Sequence, residues 1–337
     1  MNAVSMHRRS FLTLLGGGAA AAWPRVARAQ QSERVRRVGV LTSYDENDAA
    51  PNGWLSGFKR ALAELGWTEG RNVRMDVRWT TGSVDRAGLY AKELVGLQPD
   101  VILAESTPQT AALQRESRSI PIVFVLVSDP IGSGFVDSLP RPGGNITGFS
   151  NHDPTMGGKW LELLTEIAPG IKRVAAMYNP DTAPYVGSYY LPSFEAAART
   201  FKLEPITAPI HNDGEIELAI TSLAREPGGG LVLMPDGFVF AHRAMIISLA
   251  TRNNVPSVNN SQDFVRDGGL LSYGADTADL YRRAAPYVDR ILRGARPAEL
   301  PVQLPVKFAM ALNAKTAKAL GLTVPASILV RADEVIE

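Results

Sequence analysis

Ile120–Ser150 reads IPIVFVLVSDPIGSGFVDSLPRPGGNITGFS, and the rest of the chain is placed by reference to it. Pro121 opens the run IVFVLV, too short and too β-branched for a helix but suited to a strand buried on both faces. Ser128, Asp129 and Pro130 end that run with polar, turn-forming residues, where the chain must leave a sheet. A short helical piece is expected next, then the turn cluster Arg141-Pro142-Gly143-Gly144-Asn145 and a second extended run from Ile146 to Phe149. The pattern is the last strand of one lobe, a ligand-facing loop, and a crossing into a second lobe.

Upstream, Arg36 to Ser43 (RRVGVLTS) predicts a buried strand. Trp54, Leu55, Phe58, Ala61, Leu62 and Leu65 follow on one helical face, and Gly66 stops the helix. Asn72 to Trp79 alternates as a second strand, Ala87 to Val95 stripes a second helix, and Asp100 to Ala104 is a third strand before another helix. Downstream the order replays, from Lys172–Asn179 through a helix, Leu203–Ile210, a helix, Gly230–Met234, a helix, and Val255–Asn260. First to third strand spans 63 residues in one half (Val38 to Val101) and 57 in the other (Val174 to Leu231). Two similar βαβα units predict an α/β protein of two Rossmann-like, doubly wound lobes joined by a hinge. The tail adds a strand at Gly269–Tyr273, a helix at Leu280–Leu292, a proline-punctuated extended stretch at Leu300–Val306, and a helix over about Ala314–Leu320. Ile328-Leu329-Val330 closes the chain. The proline-rich pieces suit strands crossing between lobes. The expected division is 30–148 plus about 275–304 for the N-terminal lobe, and 149–274 plus about 305–337 for the C-terminal lobe.

In doubly wound sheets the ligand sits beyond the carboxyl ends of the strands. Those ends carry Ser43-Tyr44, Ser106-Thr107, Ser128-Asp129, Asn179, Asp236 and Asn260, so two facing lobes would line one cleft with them. Ser106 and Thr107 precede Pro108, an arrangement for a helix N-terminus with Pro108 at its first position. Backbone N–H groups and two hydroxyls there suit a carboxylate, and Thr107 as a simple helix cap is an equal alternative. Asp129 and Asp236, one per lobe, accept from an ammonium or hydroxyls, or else stabilise turns. Tyr44, Tyr178, Tyr185 and Phe238 are candidate aromatic walls, with packing as the alternative, while Trp54 and Trp79 read as core.

Composition bounds the rest. At 337 residues, 45% hydrophobic and 20% charged, the chain has the make-up of a soluble globular protein of two domains. Residues 1–29 read as a secretory signal peptide, with Arg8-Arg9, an apolar run of 13 residues from Phe11 to Trp23, and an Ala27-Arg28-Ala29 exit. That run is short of the ~20 residues a spanning helix needs. The paired arginines followed by Phe-Leu resemble a twin-arginine signal, while His7 and Thr13 leave a Sec route open. Cleavage after Ala29 removes four arginines and leaves 31 Lys+Arg against 34 Asp+Glu, a net charge near −3. Such a balance carries no electrostatic footprint for nucleic acid. Zero cysteines exclude disulfides, thiolate metal sites and a lipid-bearing cysteine, hence a direct membrane anchor of that kind. The expected location is the periplasm.

No reactive constellation is present. The chain has no HExxH, no P-loop and no GxSxG, and residues 270–274 (LLSYG) fail the last pattern at its first glycine. Gly132-Ser133-Gly134 lacks the third glycine of a dinucleotide fingerprint and reads as a helix-entry turn. His7, His152, His211 and His242 show no metal-ligand spacing. Catalytic residues, metal sites and cofactors are therefore expected to be none.

RRVGVLTS, GFKRALAELGWTEGRNV, the 120–150 stretch, GLLSYGADTADLYRRAAPYVDRIL and LPVQLPVKFAMALNAKTAKALGLTVPASILVRADEVIE resemble, in order, the substrate-binding proteins of ABC transporters in the ABC-sub-bind family, which includes tryptophan-binding TrpX-like proteins. The resemblance covers essentially the whole chain after residue 29. It implies a type I periplasmic binding protein: two lobes, three hinge crossings, and closure over a small ligand, amino-acid-like or an aromatic acid. It places Ser106-Thr107, Asp129, Asn179, Asp236 and Asn260 at the ligand; Ser43, Tyr44 and Tyr185 join them from the strand-end reading. It also implies a partner permease in the inner membrane and a monomeric, non-enzymatic receptor. An extracytoplasmic sensor subunit is the alternative use of the same closed state. One departure stands out: Glu105 replaces the glycine or small residue usual in relatives. If its carboxylate enters the cleft, it favours a cationic or hydroxyl-rich ligand; if it points away, the anion reading stands.

Overall fold

The computed structural model describes residues 34–151 and 153–337. The signal-peptide reading and the readings of His7 and His152 lie outside the described residues. Strands β1 (Arg36–Thr42), β2 (Val73–Trp79), β3 (Val101–Glu105), β4 (Ile122–Val127) and β5 (Ile146–Ser150) form an all-parallel sheet ordered β2-β1-β3-β4-β5. A second sheet takes β6 (Arg173–Tyr178), β7 (Glu204–Pro209), β8 (Gly229–Leu233), β9 (Ser257–Asn259), β10 (Leu271–Ala275), β11 (Phe308–Asn313) and β12 (Glu334–Ile336). Its order is β12-β11-β10-β9-β8-β6-β7, parallel except where β11 runs against β10.

Each sheet is buried on both faces, as its unbroken apolar strands require. In the first, Val38, Val40, Val101, Leu103, Val123 and Val125 face the helices Ala49–Glu64 and Thr277–Leu292. Ile102, Ala104, Ile122 and Phe124 face the opposite layer, formed by the helices Val84–Gly96 and Ser106–Glu116. The second sheet divides likewise, with Val174, Ala176, Val232 and Val258 on one side and Ala175, Met177, Leu231 and Leu233 on the other.

β4 changes phase near its end. Leu126 has φ +60°, and the ladder to β5 shifts between Val125 and Val127. This one-residue bulge turns Val127 into the layer holding Ile122 and Phe124, against simple alternation. β5 lies so close to β4 that a Cβ on Gly148, at φ +156°, would stand 2.1 Å from the Phe124 carbonyl oxygen.

The chain passes between the sheets three times. After β5 it leaves through Ser150 and Asn151, whose N–H groups donate to Gln303 O (2.9 Å) and Val127 O (3.2 Å). After β10 it returns into the Thr277–Leu292 helix, which packs against the Ala49–Glu64 helix beside the first sheet. The Leu300–Gln303 segment runs beside β5 before the last passage to β11, and Asp276 N donates to Lys307 O (3.0 Å).

Several local expectations are corrected. The piece after β4 is not helical: Pro130 to Pro140 is a series of turns, which Pro130, Gly132 and left-handed Gly134 (φ +68°) favour over a helix. The helix after β3 starts at Ser106, so Pro108 is its third residue and Thr107 does not cap it. The C-terminal segment forms a helix at Ala326–Arg331 and then β12, a strand too short and too charged to stand out by pattern.

Candidate ligand-binding cleft

The carboxyl ends of the two sheets meet at a narrow cleft with about 550 Å³ of unfilled space, its open mouth included. Tyr44, Trp54, Glu105, Ser106 and Leu126 line it from the first lobe. Thr182, Tyr185, Asp236, Phe240 and Asn260 line it from the second, with Asn151 on the first crossing.

Glu105 ends β3 and is 1% exposed. Its Oε2 accepts from Ser43 N (2.7 Å), Ser43 Oγ (2.6 Å) and Thr42 Oγ1 (3.4 Å), all at the end of β1. Burial pushes its carboxyl up to about 7, against the opposing pull of those donors. Asp236 stands at the head of the Gly237–Ala241 helix on the other wall. It accepts from Asn179 N (2.7 Å), Phe238 N (2.9 Å) and Thr182 Oγ1. Burial raises it to about 6.

The walls are aromatic. Phe240, from the second lobe, packs edge-on to Tyr44 at 4.9 Å and tilted to Trp54 at 5.9 Å, so a ring from one lobe closes on two from the other. Arg243, on the helix that follows, lays its guanidinium over Phe240 at 4.3 Å and reaches Asp48 of the first lobe at 2.7 Å. Gly237 touches the first lobe directly: a Cβ there would stand 2.9 Å from Ser43 Oγ. The lobes are closed on one another.

Thr107 Oγ1, Ser128 Oγ, Asn151 Oδ1 and Tyr190 Oη are buried without a hydrogen bond of good geometry. Tyr185 donates to Pro235 O (2.7 Å) beside them. Ser106 adopts φ +70°, a conformation costing about 1 kcal/mol or more for a residue with a Cβ and concentrated at ligand clamps.

Of the residues singled out from sequence, Tyr44, Ser106, Tyr185, Asp236 and Asn260 lie on the cleft surface. Ser43 sits behind Glu105, and Thr107 is 4% exposed beside Ser106. Asn179 presents its N–H to Asp236 and its Oδ1 to Asp181 N (2.8 Å), within the second lobe. Asp129 Oδ1 accepts from Gly132 N (2.8 Å), the turn-stabilising alternative, away from the cleft surface. Sequence reasoning missed Phe240, choosing Phe238, whose ring packs on His242 at 4.0 Å. It also assigned Trp54 to the core alone, missed Asn151 and Thr182, and left Glu105 undecided; Glu105 lines the cleft. Among the described residues no group of three or more His, Cys, Asp or Glu could hold a metal ion.

A closed two-lobed α/β sandwich with a buried polar and aromatic seam defines the type I periplasmic binding class. The chain belongs to the ABC transporter substrate binding protein family, whose model matches residues 38–336. Members of this family are extracytoplasmic binding proteins, not enzymes. The chain is 26% identical over 293 residues to a tyrosine-binding protein of Clostridioides difficile, covering 86% of this chain and 82% of the relative. Two solved structures share its fold at nearly equal identity. A Streptococcus pneumonia ABC domain in complex with L-Trp is 26% identical, with a TM-score of 0.81 over 89% of this chain and 99% of that one. A ligand-free, open substrate binding protein from Clostridium difficile is 25% identical, with a TM-score of 0.65 over 90% and 99%. Among the described residues no helix is long and apolar enough to cross a membrane.

Proposed function

We propose that the chain is the solute-binding component of an ABC importer, capturing an amino-acid-like small molecule between its lobes by hinge closure. The observation that carries this reading is the seam itself: two carboxylates, aromatic rings and the unpartnered Oδ1 of Asn151 line one closed gap between the lobes. Leaving that oxygen unpaired costs about 1–3 kcal/mol, which a polar guest offsets and a packed core would have avoided. The tyrosine and tryptophan named for its relatives support an amino-acid-like guest. The higher similarity to the ligand complex than to the open form, at matched identity, agrees with the closed contacts of Phe240 and Gly237.

In this reading residues 30–148 with about 275–304 move as one lobe, and 149–274 with about 305–337 as the other. The leader is removed near Ala29, the protein works as a monomer in the periplasm, and an inner-membrane permease reads the closed form. Of the residues named from sequence, Tyr44, Ser106, Thr107, Tyr185, Asp236 and Asn260 touch the guest. A thermal-shift screen of the purified mature chain against amino acids, aromatic acids, amines, purines and sugars tests it. A solute at 100 times its Kd adds about 2.7 kcal/mol of stability. No rise with any class would sink the receptor reading.

A further inference from the structure

Among the described residues the cleft is lined by two carboxylates, Glu105 and Asp236, and by no lysine, arginine or histidine. The carboxylates come from opposite lobes, so closure brings both around whatever lies between. Asn151, 4% exposed, adds a buried acceptor, Oδ1, with no donor. The wider cavity beside the hinge, which shares Trp54, Ser261 and Thr277 with the cleft, continues the same sign. It is lined by Asp263, Asp276, Asp333 and Glu334 against Arg266 and Lys307. Both of those cations are already held, Arg266 by Glu334 and Asp263, Lys307 by Asp276. Acceptors and negative charge thus dominate from the hinge-side cavity to the cleft. A low-dielectric wall magnifies that field and attracts cations while repelling anions.

Resting on the receptor reading above, we infer that the ligand is a net-cationic small molecule, an amine or guanidine, and that Glu105 is the residue that selects for its charge. The aromatic trio of Tyr44, Trp54 and Phe240 suits the flat or apolar part of such a ligand and the cation alike. A single α-ammonium beside an α-carboxylate answers only one of the two wall carboxylates; a ligand without that carboxylate, or with a second cationic group, answers both. The titratable groups facing Glu105 are the hydroxyls of Tyr44, Tyr185 and Tyr281, all neutral, and Asp236 faces Tyr185. A bound cation therefore draws protons off Glu105 and Asp236, and affinity falls as the pH drops through about 7 and then about 6.

Isothermal titration at pH 8 with one ring in three charge states provides the test: tyramine, tyrosine and 4-hydroxyphenylpropanoate, with agmatine and arginine, both net cations, as a guanidine arm that should also bind more tightly than tyrosine. Expected is binding of a cation at least ten-fold tighter than its zwitterionic counterpart, with the anion weakest. Lowering the pH to 5.5 weakens the cation at least ten-fold. Glu105→Gln, checked for an intact fold by its thermal midpoint, cuts the cation preference at least ten-fold; Asp236→Asn serves if that variant does not fold. Tighter binding of the zwitterion or the anion overturns this inference and leaves the receptor reading standing. So does an unchanged cation preference in the variant. Binding of no solute of any charge defeats the receptor reading first.

Discussion

Glu105 is buried and Asp236 half-buried, and both carboxyls hold their protons more firmly in the folded chain than in the unfolded one. The sign follows directly. The folded state binds more protons between the unfolded value and the folded one, so stability is highest at low pH and falls as pH rises through about 7 for Glu105. For that residue alone the loss from pH 5 to pH 8 is on the order of 3 kcal/mol. Urea unfolding of the ligand-free protein at the two pH values, compared with Glu105→Gln, should show a steeper decline in the wild type; equal declines refute the assignment. Glu105 was visible in sequence as a charge at the end of an apolar strand, but its direction was not, because strand alternation gives a face and not a partner. Asp236 was legible as a strand-end acid just past Gly230–Met234, read as a ligand acceptor or a turn stabiliser; it lines the cleft and also accepts from Phe238 N at the head of the next helix. Phe238 and Phe240 could not be told apart. Two residues along a helix turn differ by about 200° around its axis, so the choice depends on where the helix starts.

At the scale of elements, the two repeated βαβα units were readable because both faces of each sheet are apolar and helical stripes separate the strands. The same uniformity hid the β4 bulge. Val125, Leu126 and Val127 are all apolar, so a phase change there leaves no mark in the hydrophobic pattern, although it brings Leu126 to the cleft. β12 was illegible because three residues with a charge cannot show a period. The close approach of β5 to β4 gives an element-level prediction. Gly148→Ala places its methyl against the Phe124 backbone, which cannot yield without parting the strands. The expected cost is at least about 3 kcal/mol, measured by denaturant unfolding, with the first lobe losing amide protection before the second. A stable, fully protected variant would show that β5 has room to move.

The whole molecule closes through contacts that belong to neither lobe alone. Asp48 caps the Ala49–Glu64 helix with one oxygen, accepting from Ala50 N at 3.2 Å, and meets Arg243 of the other lobe with the second at 2.7 Å. Asp48→Asn keeps a good cap and removes the charge, so it acts on closure and not on the helix. Weakening a partly buried pair by about 1 kcal/mol should lower affinity about five-fold. Gly237→Ala acts on the same equilibrium by sterics, because its methyl meets Ser43 Oγ, which is fixed by Glu105. A cost of about 1–3 kcal/mol is expected, and at least a five-fold loss of affinity. Asp48→Asn changes the population of the closed form and not its chemistry, so it should weaken every ligand by the same factor. Gly237 lines the cleft and its methyl meets the hydroxyl that donates to Glu105, so that variant also disturbs the site itself. Small-angle scattering at saturating ligand should then show the wild-type compaction, reached at higher concentration. A Glu105 variant differs in kind, since it changes the ranking of ligands and not the common factor. If Asp48→Asn reorders ligands by charge, the contact belongs to the binding site and the separation of latch from selector fails.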